Sequence, residues 1–332
     1  MGTSRKTTTA IIAALTAAIP TVASPQGGAG PSGGLQVDLG ISSSLKIDDN
    51  FQLQPTSGGT STIWDNTLTF GITSQSQTQR LALNGGAVLR FAEIPGRSVA
   101  GLEDPNIRLS YALDGVNSRL TVDARYRKAD REFLNPFQVE QEEQQFGPLV
   151  GDGGTQTDKN ARLVFDTGIN APIGFTLTLS TTEKDYSGVV NPSLFDTRSD
   201  TIGTSTRFRL SPVTQLTFGV DETWYEANDL FQTQRDTRNV RVGLQTDVTQ
   251  TLVLNASLGY TDIETDQLGF ISGSSGGTGS IGVVQTFQNG TASVDFDSSR
   301  NQNGSRQTLT FGRQYVLPNG NLSASLGLTE GA

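Results

Sequence analysis

Fifteen amphipathic segments between Leu35 and Thr329 predict that the chain is all-β. In each segment the apolar residues recur at every second position, which is the period of a strand with one apolar and one polar face. The predicted connections alternate between seven turns of at most five residues and seven loops of at least seven residues. Transmembrane barrels have short turns at one rim and long loops at the other, so we predict a transmembrane antiparallel up-and-down β-barrel of about 16 strands.

The predicted short turns contain residues that reverse a chain tightly. Asp114-Gly115, Asn289-Gly290 and Asn319-Gly320 supply the positive φ angles that two-residue hairpins need. The short turns are predicted at 75–78, 114–117, 170–174, 211–214, 249–250, 288–290 and 317–320. The long loops are predicted at 48–62, 92–105, 128–158, 183–200, 226–236, 263–279 and 299–305.

The apolar faces of the predicted strands are regular, and aromatic residues collect near the strand ends. The first strand, for example, places Leu35, Val37, Leu39, Ile41, Leu45 and Ile47 on one side. Aromatic rings at both edges of the apolar band are typical of the girdles of membrane barrels. Residues 306–316 fit less well, because Arg313 falls on the face predicted to meet lipid.

The first 23 residues have the features of a secretory signal peptide. Arg5 and Lys6 form a basic region, residues 9–20 an apolar region, and Thr21-Val22-Ala23 a small-residue cleavage site. The apolar run is shorter than the roughly 20 residues that a membrane-spanning helix needs. We therefore expect a signal peptide over 1–23, a flexible lead-in over 24–34 and a barrel over 35–332, in the outer membrane of a Gram-negative bacterium.

The predicted strand number is odd, whereas bacterial single-chain barrels have an even number of strands. The sequence also ends at Thr329-Glu330-Gly331-Ala332, without a terminal aromatic residue. We therefore expect either a sixteenth strand missing from the C-terminus or a count that is wrong by one.

The composition argues against several classes of function. The sequence has no histidine, so the commonest general base and metal ligand is missing, and no Ser-His-Asp triad can form. Loss of the two basic leader residues would change the formal net charge from −9 to −11, which opposes binding to nucleic acid. We expect no catalytic residue, no metal and no cofactor. The expected partners are outer-membrane lipid, lipopolysaccharide and, during biogenesis, the barrel assembly machinery; a polysaccharide is a further candidate.

The polar face of the predicted strands is rich in arginine, with aspartates between the arginines. Opposed charges along a water-filled channel sort solutes by charge. Guanidinium groups suit this role because they stay charged and bind carboxylates or phosphates through two donors. The predicted pore-lining residues are Arg90, Arg108, Arg125, Arg127, Arg162, Arg241, Asp123, Asp166 and Asp221.

The longest predicted loop, 128–158, is strongly acidic and is the third of the long loops. In this it is similar to the general porins, whose third long loop folds into the barrel and places acids opposite a basic wall. Our hypothesis is that Glu140, Glu142 and Glu143 form a constriction that faces the cluster between Arg90 and Arg162. The alternative is a solvated acidic loop, with the wall arginines paired to neighbouring aspartates.

The segment Leu35–Leu53 resembles the first strand and loop of the β-barrel porin type 2 family, in particular at Asp49-Asn50 followed by Phe51. The stretch 67–91 is similar in its short polar turn between two alternating strands. The resemblance implies an outer-membrane pore, of a family in which some members are encoded beside exopolysaccharide or capsule genes. An anionic glycan is one cargo that it implies. The family has no defined catalytic residues, and this sequence departs from it in lacking a closing C-terminal strand.

The sequence leaves three hypotheses about function open. The first is a pore for diffusion or gated passage of small polar or anionic solutes through an arginine-rich lumen. The second is an outer-membrane component of exopolysaccharide or capsule export, and the third is a structural barrel or adhesin that does not conduct. Conductance of the isolated protein separates the first hypothesis from the other two.

Overall fold

The computed structural model describes residues 13–15, 34–51, 56–133 and 153–331. These residues form a 16-stranded sheet in which each strand is bonded to its neighbours in chain order. The strands are β1 (Ala13–Leu15), β2 (Leu35–Asp48), β3 (Ser61–Gln75), β4 (Gln79–Ile94), β5 (Arg97–Asp114), β6 (Ser118–Asp130), β7 (Thr155–Thr167), β8 (Ile173–Ser187), β9 (Thr197–Ser211), β10 (Thr214–Ala227), β11 (Gln234–Asp247), β12 (Leu252–Gln267), β13 (Phe270–Phe287), β14 (Gly290–Asn301), β15 (Gly304–Leu317) and β16 (Gly320–Gly331). The predicted fold class, a transmembrane antiparallel up-and-down barrel, is confirmed.

The fifteen predicted strands correspond to β2–β16. The additional strand β1 has three residues and pairs with β2, with Ala13 opposite Leu45. It lies within the predicted signal peptide, and both that peptide and the expected further C-terminal strand stay predictions. A single turn of 3₁₀-helix, Arg131–Phe133, follows β6. No helix in the part of the chain that the structure describes is long and apolar enough to cross a membrane.

The chain divides into two compact units. The first comprises residues 1–112, 123–160 and 183–195, and the second comprises residues 113–122, 161–182 and 196–332. The first unit has a small core of buried Ile63, Ala92, Ile94 and Val99, with Phe51 and Phe133 packed against it. The second unit consists mainly of the meander from β9 to β16.

All seven short turns are confirmed, but three of the predicted long loops are wrong. The loops predicted at 92–105, 263–279 and 299–305 are two-residue turns at 95–96, 268–269 and 302–303. The glycine- and serine-rich stretch 273–280 was predicted to be a loop because of its composition, but it is part of a strand and is paired residue by residue with β12. Ladder hydrogen bonds satisfy the backbone whatever the side chains are, so pairing overrides the low strand propensity of glycine and serine.

The alternation of faces is confirmed by solvent exposure. On β2 the six apolar residues of the predicted lipid face are all exposed, and the same face of β3 exposes Trp64 and Leu68. The opposite face of β3 carries buried Ser61 and Ile63. In β5 the positive φ of Asp104 (52°) breaks this alternation, so that Leu102 and Ile107 are both exposed although their numbers differ in parity.

The turn between β13 and β14 depends on Gly290, whose φ is 134°. A Cβ at this position would collide with the carbonyl group of Gln314 on the neighbouring strand. We predict that Gly290→Ala lowers the free energy of unfolding by about 1–3 kcal/mol, the usual range for forced backbone strain. Urea titration of the folded protein in detergent measures this decrease in the free energy of unfolding. Gly320→Ala is the control, because no atom lies within 4 Å of the added Cβ; equal loss in both variants would contradict the prediction.

Candidate functional site

Arg90 is the most deeply buried of the predicted pore-lining residues, with 5% of its surface exposed. It lies opposite Asp65 in the pairing of β3 with β4, and its Nε donates to Asp65 Oδ1 at 2.8 Å. Its Nη2 lies 3.0 Å from Asp104 Oδ2 on β5, and the guanidinium carbon lies 4.1 Å from the centre of the Phe133 ring. Arg90 is therefore neutralised by two carboxylates and covered by an aromatic ring.

One of these two carboxylates, that of Asp104, also holds the beginning of the longest loop. Asp104 Oδ1 accepts a hydrogen bond from the backbone amide of Asp130 at 3.0 Å. Arg97 then donates to Asp130 at 2.8 Å and to Glu132 at 2.6 Å. These contacts and the Phe133 ring tie the 3₁₀ turn to β4 and β5 within the first unit.

Arg90 thus pairs with neighbouring aspartates, which is one part of the alternative interpretation; its other part, a solvated acidic loop, stays a prediction. The proposed constriction residues Glu140, Glu142 and Glu143 lie outside the described residues, so their hypothesis stays a prediction. Sequence analysis missed Asp65, Asp104 and Phe133. Counting back from the turn at 76–78 would have placed Asp65 opposite Arg90, whereas the approach of Asp104 depends on the irregular backbone of β5.

Arg108 and Arg125 form a different kind of pair in the first unit. The Ser110 hydroxyl donates to Asp123 Oδ1 at 2.6 Å, so these two residues face each other across β5 and β6. Since the strands are antiparallel, Arg108, two residues before Ser110, lies opposite Arg125, two residues after Asp123. Both arginines are exposed, and within the described residues neither has an ion pair.

Two like charges directly opposite each other on neighbouring strands destabilise a sheet. The pair Arg108–Arg125 therefore has a cost that the described protein groups do not offset. An anion between the two guanidinium groups would offset it, because each group can donate two parallel hydrogen bonds to a carboxylate or a phosphate. Arg127, farther along β6, is partly exposed and has an interaction of its own.

In the second unit the predicted residues are held by polar neighbours. Asp221 accepts a hydrogen bond from Asn239 at 2.8 Å, and Asn239 accepts one from buried Thr261 at 2.7 Å, which makes a polar row across β10, β11 and β12. Arg241 Nη2 lies 3.4 Å from Asp221 Oδ1 and forms an ion pair without hydrogen-bond geometry. Arg162 is exposed and has no ion pair within the described part of the chain.

Asp166 lines a cavity of about 200 Å³ in the second unit, together with Arg119, Thr176 and Arg207. The Thr176 hydroxyl donates to Asp166 at 2.6 Å. Arg207 crosses over Gly174 and donates to the carbonyl oxygen of Gly168 at 2.8 Å. The arginine thus braces the turn between β7 and β8 rather than standing free.

Among the described residues, no three aspartate or glutamate side chains lie close enough together to hold a metal ion. What the described polar faces offer is a set of charges. Of the six predicted arginines, Arg90, Arg127 and Arg241 interact with other groups of the protein, whereas Arg108, Arg125 and Arg162 are exposed and have no ion pair among the described residues.

The loop between β10 and β11 is held by Asp229. Its carboxylate accepts hydrogen bonds from the Thr233 hydroxyl at 2.7 Å and from the amides of Thr233 and Phe231 at 2.9 Å and 3.1 Å. Burial alone would raise the pKa of Asp229, but these hydrogen bonds outweigh it and the pKa is lowered. The carboxylate form is thus the one that orders this loop.

We predict that the order of this loop is lost on acidification. A lowered pKa means that the stabilisation is complete above the unfolded value of about 3.9 and disappears as the pH falls through the folded value. Hydrogen exchange of the peptide covering 228–233 tests this. The protection of this peptide should be greater in the unaltered protein than in Asp229→Asn near neutral pH, and the two proteins should show equal protection at low pH. A difference that persists at the lowest pH would contradict the assignment.

No protein-family model and no curated protein sequence matches this chain. Solved structures with a similar fold do exist. The FrpB iron transporter from Neisseria meningitidis (F3-3 variant) aligns with a TM-score of 0.57 at 13% identity, over 80% of this chain and 53% of the transporter. The F5-1 variant of FrpB aligns with a TM-score of 0.56 at 10% identity, over 86% and 60%.

The ferric-catecholate import receptor Fiu from E. coli K12, in its open form, aligns with a TM-score of 0.53 at 14% identity. The alignment covers 88% of this chain and 60% of the receptor. The chain thus spans between 53% and 60% of the length of these structures. Similarity at such low identity shows the fold alone.

Proposed function

We propose that this chain forms an outer-membrane pore of a Gram-negative bacterium, through which small polar or anionic solutes pass by diffusion or gated passage. The observation that carries the proposal is the division of the sheet into an exposed apolar face and a polar face with unpaired arginines. The exposed apolar face supports placement in a membrane, and the unpaired arginines support selection of solutes by charge.

The exposed apolar face would be unfavourable in contact with water. Leu35, Leu39 and Ile47 on β2 expose more than half of their surfaces, and the outward faces of the later strands repeat the pattern. Exposed apolar surface costs about 25 cal/mol per Å² in water, and contiguous patches of this extent are rare on soluble monomers. A lipid bilayer removes this cost, which supports placement in a membrane.

The polar face supports selection by charge. Paired arginines such as Arg90 and Arg241 add little net field, because their aspartate partners cancel most of it. Arg108, Arg125 and Arg162 have no such partners in the described residues, so we propose that these three arginines dominate the field felt by a solute. The proposed pore favours anions for this reason, although the predicted mature chain is acidic.

Two of the similar structures are described as an iron transporter and an import receptor, which supports a transport role for the fold. The resemblance of residues 35–53 to the β-barrel porin type 2 family supports a pore of that group. Our proposal includes neither a catalytic role nor a cofactor. It names outer-membrane lipid and lipopolysaccharide as the surroundings, and the barrel assembly machinery as the partner during biogenesis.

The arginine pair can be tested by electrophysiology in planar bilayers. We predict ohmic conductance steps and an anion-selective reversal potential under a salt gradient. The double variant Arg108→Gln/Arg125→Gln should move the reversal potential toward cation selectivity, because two of the three uncompensated arginine charges are gone. Arg238→Gln is the matched control, since Arg238 is paired with Glu222 at 2.7 Å on the outward face.

Two outcomes would count against the proposal. A silent bilayer despite confirmed insertion would favour an export component or a structural barrel. An equal shift in the Arg238 control would show that total charge, rather than the position of the pair, sets the selectivity.

The acidic loop gives a separate prediction. If Glu140, Glu142 and Glu143 face the wall arginines, replacing all three with glutamine should make the pore more selective for anions. The reversal potential of the triple variant measures this. Unchanged selectivity would mean that the three glutamates form part of a solvated outer surface.

A further inference from the structure

Arg313 is a cation on the apolar face of the sheet. It lies opposite Ala292 on β14 and Ala324 on β16, and so shares a face with Phe311 and Tyr315. The two aromatic residues expose 41% and 39% of their surfaces. The sequence places Arg313 on the lipid side, and the pairing of both neighbouring strands agrees with that placement.

The guanidinium group of Arg313 is held by two aromatic rings. Its central carbon lies 4.5 Å from the centre of the Phe287 ring and 4.3 Å from the centre of the Tyr315 ring. Its Nη2 donates to Asn289 Oδ1, in the turn before β14, at 3.2 Å. Two cation–π contacts and an amide thus fix the position of a side chain that is otherwise flexible.

These contacts leave the charge without a counter-ion. Among the described residues Arg313 has no carboxylate partner, and its Nη1 is buried without a hydrogen-bond partner. An arginine cation on a membrane face needs an anion or water nearby, since hydrocarbon offers neither. The neighbouring aromatic rings and the amide cannot neutralise it.

The depth of Arg313 along β15 suggests where the anion would come from. Arg313 lies four residues before Leu317, the last residue of the strand. At about 3.4 Å per residue and a tilt of about 40°, the axial distance to the strand end is about 10 Å. That is the zone in which aromatic girdles meet lipid head groups, where a cation is far cheaper than at the bilayer centre.

We infer that Arg313, Phe287, Tyr315 and Asn289 form a binding site for the phosphate of a phospholipid at the rim that carries the short turns. Arginine can bind phosphate through two parallel donors, and the two rings and Asn289 hold the guanidinium group of Arg313 in place. The exposed side chains of Leu322 and Leu326 on β16 provide an apolar surface for the acyl chains. The inference rests on the proposed membrane placement.

The test is lipid titration of the detergent-purified protein, followed by native mass spectrometry. Phosphatidylglycerol is the probe, and diacylglycerol, which lacks the phosphate, is the reference lipid. We expect phosphatidylglycerol to bind and Arg313→Gln to weaken its binding about tenfold, the loss expected for one charge-assisted hydrogen bond. The affinity of Arg313→Lys for phosphatidylglycerol should lie between those of the unaltered protein and Arg313→Gln, because lysine keeps the charge but not the paired donors.

Arg306→Gln is the matched control, since Arg306 lies on the same strand in the opposite parity and pairs with Ser299. It should leave binding unchanged. A heat-dependent shift in gel mobility confirms that each variant is folded. Equal binding of diacylglycerol, an equal loss in the Arg306 control, or tighter binding of lipid A than of phosphatidylglycerol would overturn the inference. Failure of the unaltered protein to insert into bilayers would instead refute the membrane placement itself.

Discussion

Backbone hydrogen bonding between neighbouring strands is the constraint on which the rest of this structure depends. In a lipid environment each amide and carbonyl must find a partner within the protein, and a sheet of antiparallel strands in chain order provides these partners with the shortest connections. Once the ladder is set, side chains must alternate between two faces. The exposed leucines of β2, the polar row from Asp221 to Thr261 and the outward position of Arg313 all follow from the same pairing.

Charge is treated differently on the two faces. On the polar face, Arg90 lies beside Asp65 and Arg241 lies beside Asp221, in each case on the neighbouring strand, so these two charges are largely compensated. Arg108, Arg125 and Arg162 are exposed and have no ion pair among the described residues, so no salt bridge from them stabilises the sheet. On the apolar face aromatic rings substitute for carboxylates around Arg313. A protein can thus carry many arginines while only a few of them act on its surroundings.

The fold could be predicted from the sequence because period-two alternation and turn chemistry are local signals. The short turns were found for the same reason. Three hairpin tips were missed because their glycine, serine and acidic residues are common in loops, and only long-range pairing makes them strands. The inward cluster around Ile63 and Ala92 was missed because apolar residues were assigned to lipid by parity. The position of Asp65 opposite Arg90 can be predicted by counting residues from the turn between β3 and β4. The approach of Asp104 to Arg90 depends on a local backbone distortion that the sequence composition does not predict.

The distortion at Asp104 lets the two ends of β5 place apolar side chains in different surroundings. The strand behaves as two segments of opposite phase joined at one residue with φ of 52°. Val99 is buried on the side of the break nearer the tip, whereas Ile107 is exposed beyond it although both numbers are odd. One strand therefore contributes Val99 to the buried cluster near the tip and presents Ile107 on the exposed face farther along, and a substitution that removed the positive φ at Asp104 would bring these two requirements into conflict.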